Sequence, residues 1–177
     1  MQDKVAASST EFDQEQISKA LSKIESMGYD PTSTWEQRVV WGDHDQFQHV
    51  NNVNYVKWYE SSRMFFAKKI GEEMEAEKGE EMINGKGKSF ILANISVRYR
   101  RPVTYPDTIL IGVACLPLTA KDRFTLRAVA YSLKLEDVVS TSDQLCVTYD
   151  YKKVQKCEIP DYFLQPLQKR MLVNEKL

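Results

Sequence analysis

The chain has 177 residues, 42% of them hydrophobic and 28% charged, the proportions of one water-soluble globular domain. Its 24 lysines and arginines against 25 aspartates and glutamates leave a formal net charge of −1, without the basic surplus that phosphate neutralisation demands, so nucleic acid is not an expected partner. The most apolar run, residues 109–116, is too short to span a bilayer; three cysteines with no CxxC pair read as reduced thiols and exclude a disulfide scaffold or a zinc ribbon.

Residues 1–15 lack the apolar core of a secretory signal, and Asp3, Glu11 and Asp13 fit a mitochondrial presequence poorly. The expectation is a cytoplasmic protein; a mitochondrial one would need a longer precursor. Ile17, Leu21 and Ile24, closed by Gly28, predict a peripheral helix over residues 11–27, packed on the domain's edge. Asp30-Pro31 marks a turn, so residues 1–33 read as an extension and 34–177 as the domain proper. The run TWEQRVVW predicts a first strand over 34–41. A polar loop, 43–51, leads into a helix over 52–70, with Asn51 or Asn52 as its N-cap. The first half of that helix is apolar nearly all round (Val53, Tyr55, Val56, Trp58, Tyr59), which predicts a helix enclosed by other structure. The acidic stretch 72–81 is expected to extend it on a solvated face, and 84–87 to form a loop. Ile91, Ala93, Ile95, Val97 and Tyr99 alternate with polar residues as a strand does, and further strands are predicted over 109–116, 123–135 and 138–151. Short gaps between them favour antiparallel pairing, and Ile159-Pro160-Asp161 opens a C-terminal helix. The sum is an α+β domain, a sheet of about five strands curled around a helix.

The stretch WGDHDQFQHVNNVNYVKWYESSR, residues 41–63, carries the chemistry. Asp45 lies about seven residues before a helix whose first amides, near Asn51 and Asn52, have no partners within the helix. Such amides form a site for negative charge developing on a carbonyl oxygen, and a carboxylate beside them can attack a thioester or activate water. Asp45 could equally serve an Asx-turn. Histidine as a residue type titrates near neutrality, so the position of His49 suits a catalytic helper, or its ring hydrogen-bonds the loop and anchors the helix start. His44, Asp45 and His49 match no dedicated metal motif. Glu60, eight residues beyond Asn52, lies roughly 12 Å down the helix axis, too far to share a carbonyl with the first amides, and can pair with Arg63 at i+3. Lys86, Lys88, Arg98, Arg100 and Arg101 form a basic stretch with no acid between Met82 and Pro106, and Arg98 and Arg100 share one strand face. They could hold phosphate groups, or protect a sheet edge by charge.

The Asp-x-Asp loop, His49-Val50-Asn51-Asn52 and the Tyr- and Glu-bearing helix, followed by Tyr99-Arg100-Arg101-Pro102-Val103 and Pro106-Asp107, resemble the hydroxybenzoyl-CoA thioesterase-like family over residues 34–163. The resemblance implies a hotdog fold and hydrolysis of acyl-CoA to acid and CoA without cofactor or metal. It also implies Asp45 as base or nucleophile and the amide at Asn52 or its neighbour as the oxyanion donor. Tyr55 would line the acyl pocket, and Arg98 and Arg100 would be candidates for the CoA nucleotide. Some relatives place a histidine where this chain has Asn52. The family also implies dimers, joined sheet edge to sheet edge, or tetramers. Two other readings stand beside this one: a silent hotdog acting as acyl-ligand sensor or assembly subunit, and an acyl-thioester dehydratase or hydratase.

Overall fold

The computed structural model describes residues 12–172. The leader expectation drawn from residues 1–11 lies outside the described residues. Helix α1 (Gln14–Ser26) starts at a capping box, in which the Asp13 carboxylate accepts the Gln16 amide at 2.8 Å and Gln16 Oε1 accepts the Asp13 amide at 3.1 Å. A turn, Pro31–Ser33, leads into β1 (Trp35–Val39). Then come α2 (Asn52–Gly71), α3 (Ala76–Ile83), the strands β2 (Lys88–Tyr99), β3 (Asp107–Cys115), β4 (Arg123–Ser132), β5 (Asp137–Asp150) and β6 (Gln155–Lys156), and finally α4 (Asp161–Gln168). The sheet runs β1-β3-β4-β5-β2, antiparallel throughout, with the two-residue β6 added beside β5. No helix among the described residues is long and apolar enough to cross a membrane.

The sheet curls around α2, whose Tyr55, Trp58, Tyr59, Phe66 and Ile70 are buried against Ile111, Val113, Leu126 and Ala128 of the inner sheet face. Each such fully buried large side chain contributes about 1.5–3 kcal/mol of transfer free energy. Phe163 of α4 closes the open end, its ring edge-on to Phe124 at 5.5 Å. This is the α+β arrangement of a hotdog fold. A second apolar cluster lies on the outer face, where Ala20, Ile24 and Tyr29 cover Leu110, Ala114 and Val129. Gly112 makes that approach workable: a Cβ there would sit 2.8 Å from Ile24 Cγ2. Helix α1 thus crosses the outer sheet face rather than lying on the domain's edge.

Three expectations are corrected by packing. Helix α2 is not enclosed: Val53 is 54% and Met64 45% exposed, because the sheet covers only one side of it. The acidic stretch 72–81 does not prolong α2, which stops at Gly71, and α3 folds back over it. A Cβ on Gly79 would lie 2.4 Å from the Gly71 carbonyl oxygen, so the two backbones touch where side chains would keep them apart. In β2 the register against β5 shifts between Leu92 and Asn94, and this bulge changes the phase of the alternation. Phe90, Ile95 and Val97 pack on the core, while Ile91 and Ala93 are exposed.

Arg63 also departs from its expected partner. Its guanidinium turns under α2, is 7% exposed, and donates to Gln144 Oε1 of β5, whose amide donates to Ser142 Oγ at 3.0 Å. Burial pulls its pKa down, and no carboxylate among the described residues pairs with it. Gln144→Leu leaves this charge without its acceptor and is expected to cost about 2–3 kcal/mol, more than Arg63→Met, which removes the charge itself. Urea unfolding of the two variants checks the order; Arg63→Met as the worse one contradicts it.

Arg170, with only 10% of its side chain exposed, bridges Asp30 (Nε to Oδ2, 2.9 Å) and Glu73, tying the turn before β1 to the α2–α3 junction. Burial would raise the Asp30 pKa, but the hydrogen bonds from Thr32 and the charge of Arg170 outweigh it and hold the carboxyl low. The Glu73 carboxyl is held low first by Lys169 and then by Arg170. A depressed carboxylate stabilises the fold above its unfolded pKa and loses that contribution as pH falls through the folded one. Arg170→Met is expected to cost about 1–3 kcal/mol at pH 7, a gap that narrows below roughly pH 4. Denaturant titrations of both proteins at two pH values read this directly; a gap independent of pH contradicts it.

Candidate active site

The site begins where β1 ends. The chain turns through Trp41–Asp43, where the Asp43 carboxylate accepts the Val40 amide at 2.8 Å. The Asp43 carbonyl accepts both the Asn51 amide, at 2.8 Å, and the Asn54 side-chain amide, at 2.9 Å, which fastens the loop to the start of α2. Between these points the chain makes a tight reversal: the Asp45 amide donates to the His49 carbonyl at 3.1 Å and the Gln48 amide to the Asp45 carbonyl at 3.0 Å. Gln48 has φ 62, a left-handed conformation that costs a non-glycine residue about 1 kcal/mol or more. The Val50 amide donates to the Val103 carbonyl at 2.9 Å, pinning the loop to the segment after β2.

Within this frame the Asp45 carboxylate is half-buried. Its Oδ1 accepts the Phe47 amide at 2.8 Å, an Asx-turn that fixes the side chain, and Oδ2 has no partner among the described residues. At the helix start the free amides are sorted by the same local sequence. Asn51 is the N-cap, its Oδ1 accepting the Val53 amide at 3.0 Å, and the Asn54 amide donates to the Asn51 carbonyl at 3.0 Å. The Asn52 backbone N–H, the first of the helix, has no partner among the described residues and lies at the end of a 20-residue helix where the aligned peptide dipoles favour negative charge.

Asp45, Asn52 and Tyr55 line one cavity of about 500 Å³, together with Val50, His49 and Tyr99. The Tyr99 hydroxyl donates to the Asn52 carbonyl at 3.3 Å, and the Tyr55 ring stands edge-on to Tyr99 at 5.2 Å, so β2 and α2 meet at the cavity wall. Burial raises the pKa of the Tyr55 phenol, keeping it neutral. Arg100 lies at the rim; Arg98 does not reach this cavity and lies with Arg100 on the outer face of the sheet. The Asn51 amide is already used by Asp43. His49 is exposed and makes no side-chain hydrogen bond among the described residues, so it lines the cavity without anchoring the helix. The anchor is His44, whose Nε2 accepts the Tyr105 amide at 2.7 Å. Glu60 faces a separate groove with Trp35, Met64 and Phe65. Among the described residues no group of three or more His, Cys, Asp or Glu side chains is placed to hold a metal ion.

Exposed aromatic residues frame the entrance: Phe47 is 72% exposed beside Asp45, and Trp41 lines the hollow on the loop's other side, which Asp45 also borders. Composition does not reveal this placement, since both residues sit in a loop whose polar residues set its fold.

Comparison with known proteins agrees with this architecture. The chain resembles a probable thioesterase, YbaW, from Escherichia coli (21% identity, TM-score 0.63, 77% of this chain and 97% of that one). It is also similar to the DHNA-CoA thioesterase of Staphylococcus aureus (14%, 0.62, 77% and 88%) and to the hypothetical protein SAV2348 of the same organism, solved in complex with CoA (13%, 0.64, 77% and 82%). No curated protein matches the sequence significantly. The family description of the thioesterase-like superfamily matches residues 39–167, a span that holds the Asp45 loop, α2 and strands β2 to β6, and the chain belongs to that superfamily.

Proposed function

We propose that this protein hydrolyses acyl-CoA thioesters to the free acid and CoA. The observation that carries the reading is that a fixed carboxylate, Asp45, with one oxygen unpartnered among the described residues, and Asn52, whose backbone amide at the start of α2 has no partner among them, line a single cavity. In this reading the thioester oxygen lies against the Asn52 amide, where the tetrahedral oxyanion is stabilised as it forms. Either Asp45 takes a proton from a water that attacks the carbonyl carbon and passes it to the departing sulfur as the C–S bond breaks, or Asp45 itself attacks, CoA leaves as a thiolate that is protonated from solvent, and water then hydrolyses the acyl–Asp45 anhydride to the free acid. His49 serves as a polar wall near the reacting groups, and Asn51 and Tyr55 hold the helix start and the acyl group. Support comes from the superfamily membership and from solved thioesterases of the same fold. The test is thiol release from a panel of aromatic and straight-chain acyl-CoAs in the presence of a thiol reagent. Release supports the reading; ligand binding with no release from any member favours a sensor and overturns it.

The active unit is proposed to be a dimer built through β2. That strand ends the sheet, and Ile91 and Leu92 are each 38% exposed on it. An unpaired strand edge invites pairing, and a closed two-fold contact covers it. Light scattering at micromolar concentration is expected to give twice the chain mass; a stable, fully active monomer contradicts the proposal.

A further inference from the structure

On the outer face of the sheet, beyond the margin of α1, lies a second cavity of about 280 Å³. It is lined by the cross-strand row Arg127–Asp143–Ser96 and the neighbouring pair Thr141–Arg98, and Arg100 follows just past the end of β2. Arg127 is held by a bidentate pair with Asp143, at 2.6 and 2.8 Å, which neutralises the carboxylate in the cavity. Arg98 and Arg100 make no side-chain hydrogen bond or ion pair among the described residues. They project from the same face about 7 Å apart along the strand, a spacing over which two long side chains can converge on one anion. Although β2 is the edge strand, these side chains rise from its outer face into a hollow also lined by Thr141.

A second observation comes from the segment before β1. Tyr29 packs over Gly112, is 2% exposed, and its hydroxyl has no hydrogen-bond partner among the described residues. The charged groups its phenol feels are Arg127, Asp143 and Arg100, the walls of this cavity. A buried, unmatched hydroxyl near the Arg127 and Arg100 guanidinium groups fits an anion site, because burying such a hydroxyl is costly unless a ligand completes it.

We propose that the outer-face cavity formed by Arg98, Arg100 and the Arg127–Asp143 pair, and backed by Tyr29, binds a phosphate monoester. Arg98 and Arg100 supply planar, bidentate donors that match phosphate oxygens. The phosphate is either the one on the nucleotide end of a CoA thioester, a source that rests on the thioesterase reading, or that of a free phosphorylated small molecule. Arg100 borders both cavities, so a ligand extending from the Asp45 site meets it first.

Calorimetric titration of the full chain with adenosine 3′,5′-bisphosphate, inorganic phosphate, CoA and dephospho-CoA tests this. Adenosine 3′,5′-bisphosphate is expected to bind, and the double variant Arg98→Gln/Arg100→Gln to weaken it roughly tenfold or more. Tyr29→Phe, which keeps the ring over Gly112, should weaken it by a smaller factor. CoA binding tighter than dephospho-CoA, with the difference lost in the double variant, identifies the nucleotide end as the source. Bisphosphate and phosphate binding with no such difference identifies a free phosphorylated molecule. No binding, or binding unchanged in the double variant, overturns the proposal. These readouts do not need turnover: if no acyl-CoA is hydrolysed yet the arginine-dependent binding is present, the thioesterase reading fails and this site stands.

Discussion

Replacing Asp45 by asparagine is expected to cut thioester hydrolysis by roughly 10²–10⁴-fold, the range for loss of a positioned acid–base group, while acyl-CoA binding is retained. The substitution is well suited to the local structure. Asparagine keeps the oxygen that accepts the Phe47 amide, so the Asx-turn and the loop pinned to Val103 persist, and the second oxygen becomes an amide that cannot take a proton or attack a carbonyl. The loss therefore falls on kcat rather than on KM. Glu60→Gln is the matching control: Glu60 borders a different groove, and its replacement should leave kcat nearly unchanged. Near-normal turnover in Asp45→Asn contradicts the assignment, and loss of hydrolysis in a folded Glu60→Gln protein reverses it.

The second large effect concerns a backbone atom. Asn52 is the first residue of α2, where proline is well tolerated because its fixed φ suits the helix and the missing N–H has no intrahelical partner. The preceding Asn51, at φ −61 and ψ 138, already has the extended conformation that a following proline requires. Asn52→Pro thus deletes one N–H from an intact helix. If that N–H receives the oxyanion, kcat falls by roughly 10²–10³-fold, the cost of one oxyanion donor. Asn52→Ala keeps the amide and should retain most activity, so the pair separates backbone from side chain. Equal activity of the alanine and proline variants, both folded by circular dichroism, sinks the oxyanion assignment.

What the sequence made legible was whatever depends on neighbours along the chain. The boundaries of α2, the N-cap at Asn51, and the turn signals between β3, β4 and β5 are local chemistry, and each element appears close to where its residues predict it. The misreadings involve partners distant in sequence. The spacing offers Arg63 a partner in Glu60 three residues away, but Gln144, 81 residues on, offers an acceptor in the core. His49, adjoining α2, reads as catalytic helper or loop anchor, whereas the anchor is His44, which reaches Tyr105 across 61 residues. The break between α2 and α3 depends on Gly79 meeting Gly71, and the phase change in β2 depends on its register with β5. Neither leaves a periodic signature in the chain. At the site, Asp45 and Asn52 were readable because one short loop joins them; that Asn52 keeps the free amide follows only once Asp43 is seen to take the amide of Asn51.

The central claim is that the Asp45 loop and the start of α2 form a thioester-cleaving site. Its most direct test is single-turnover release of the CoA thiol, with protein in excess over an aromatic and a straight-chain acyl-CoA, for wild type and Asp45→Asn purified identically. The account predicts release by the wild-type protein from at least one substrate and its near-complete loss in the variant. Equal release by both proteins, or none by the wild type, would contradict it.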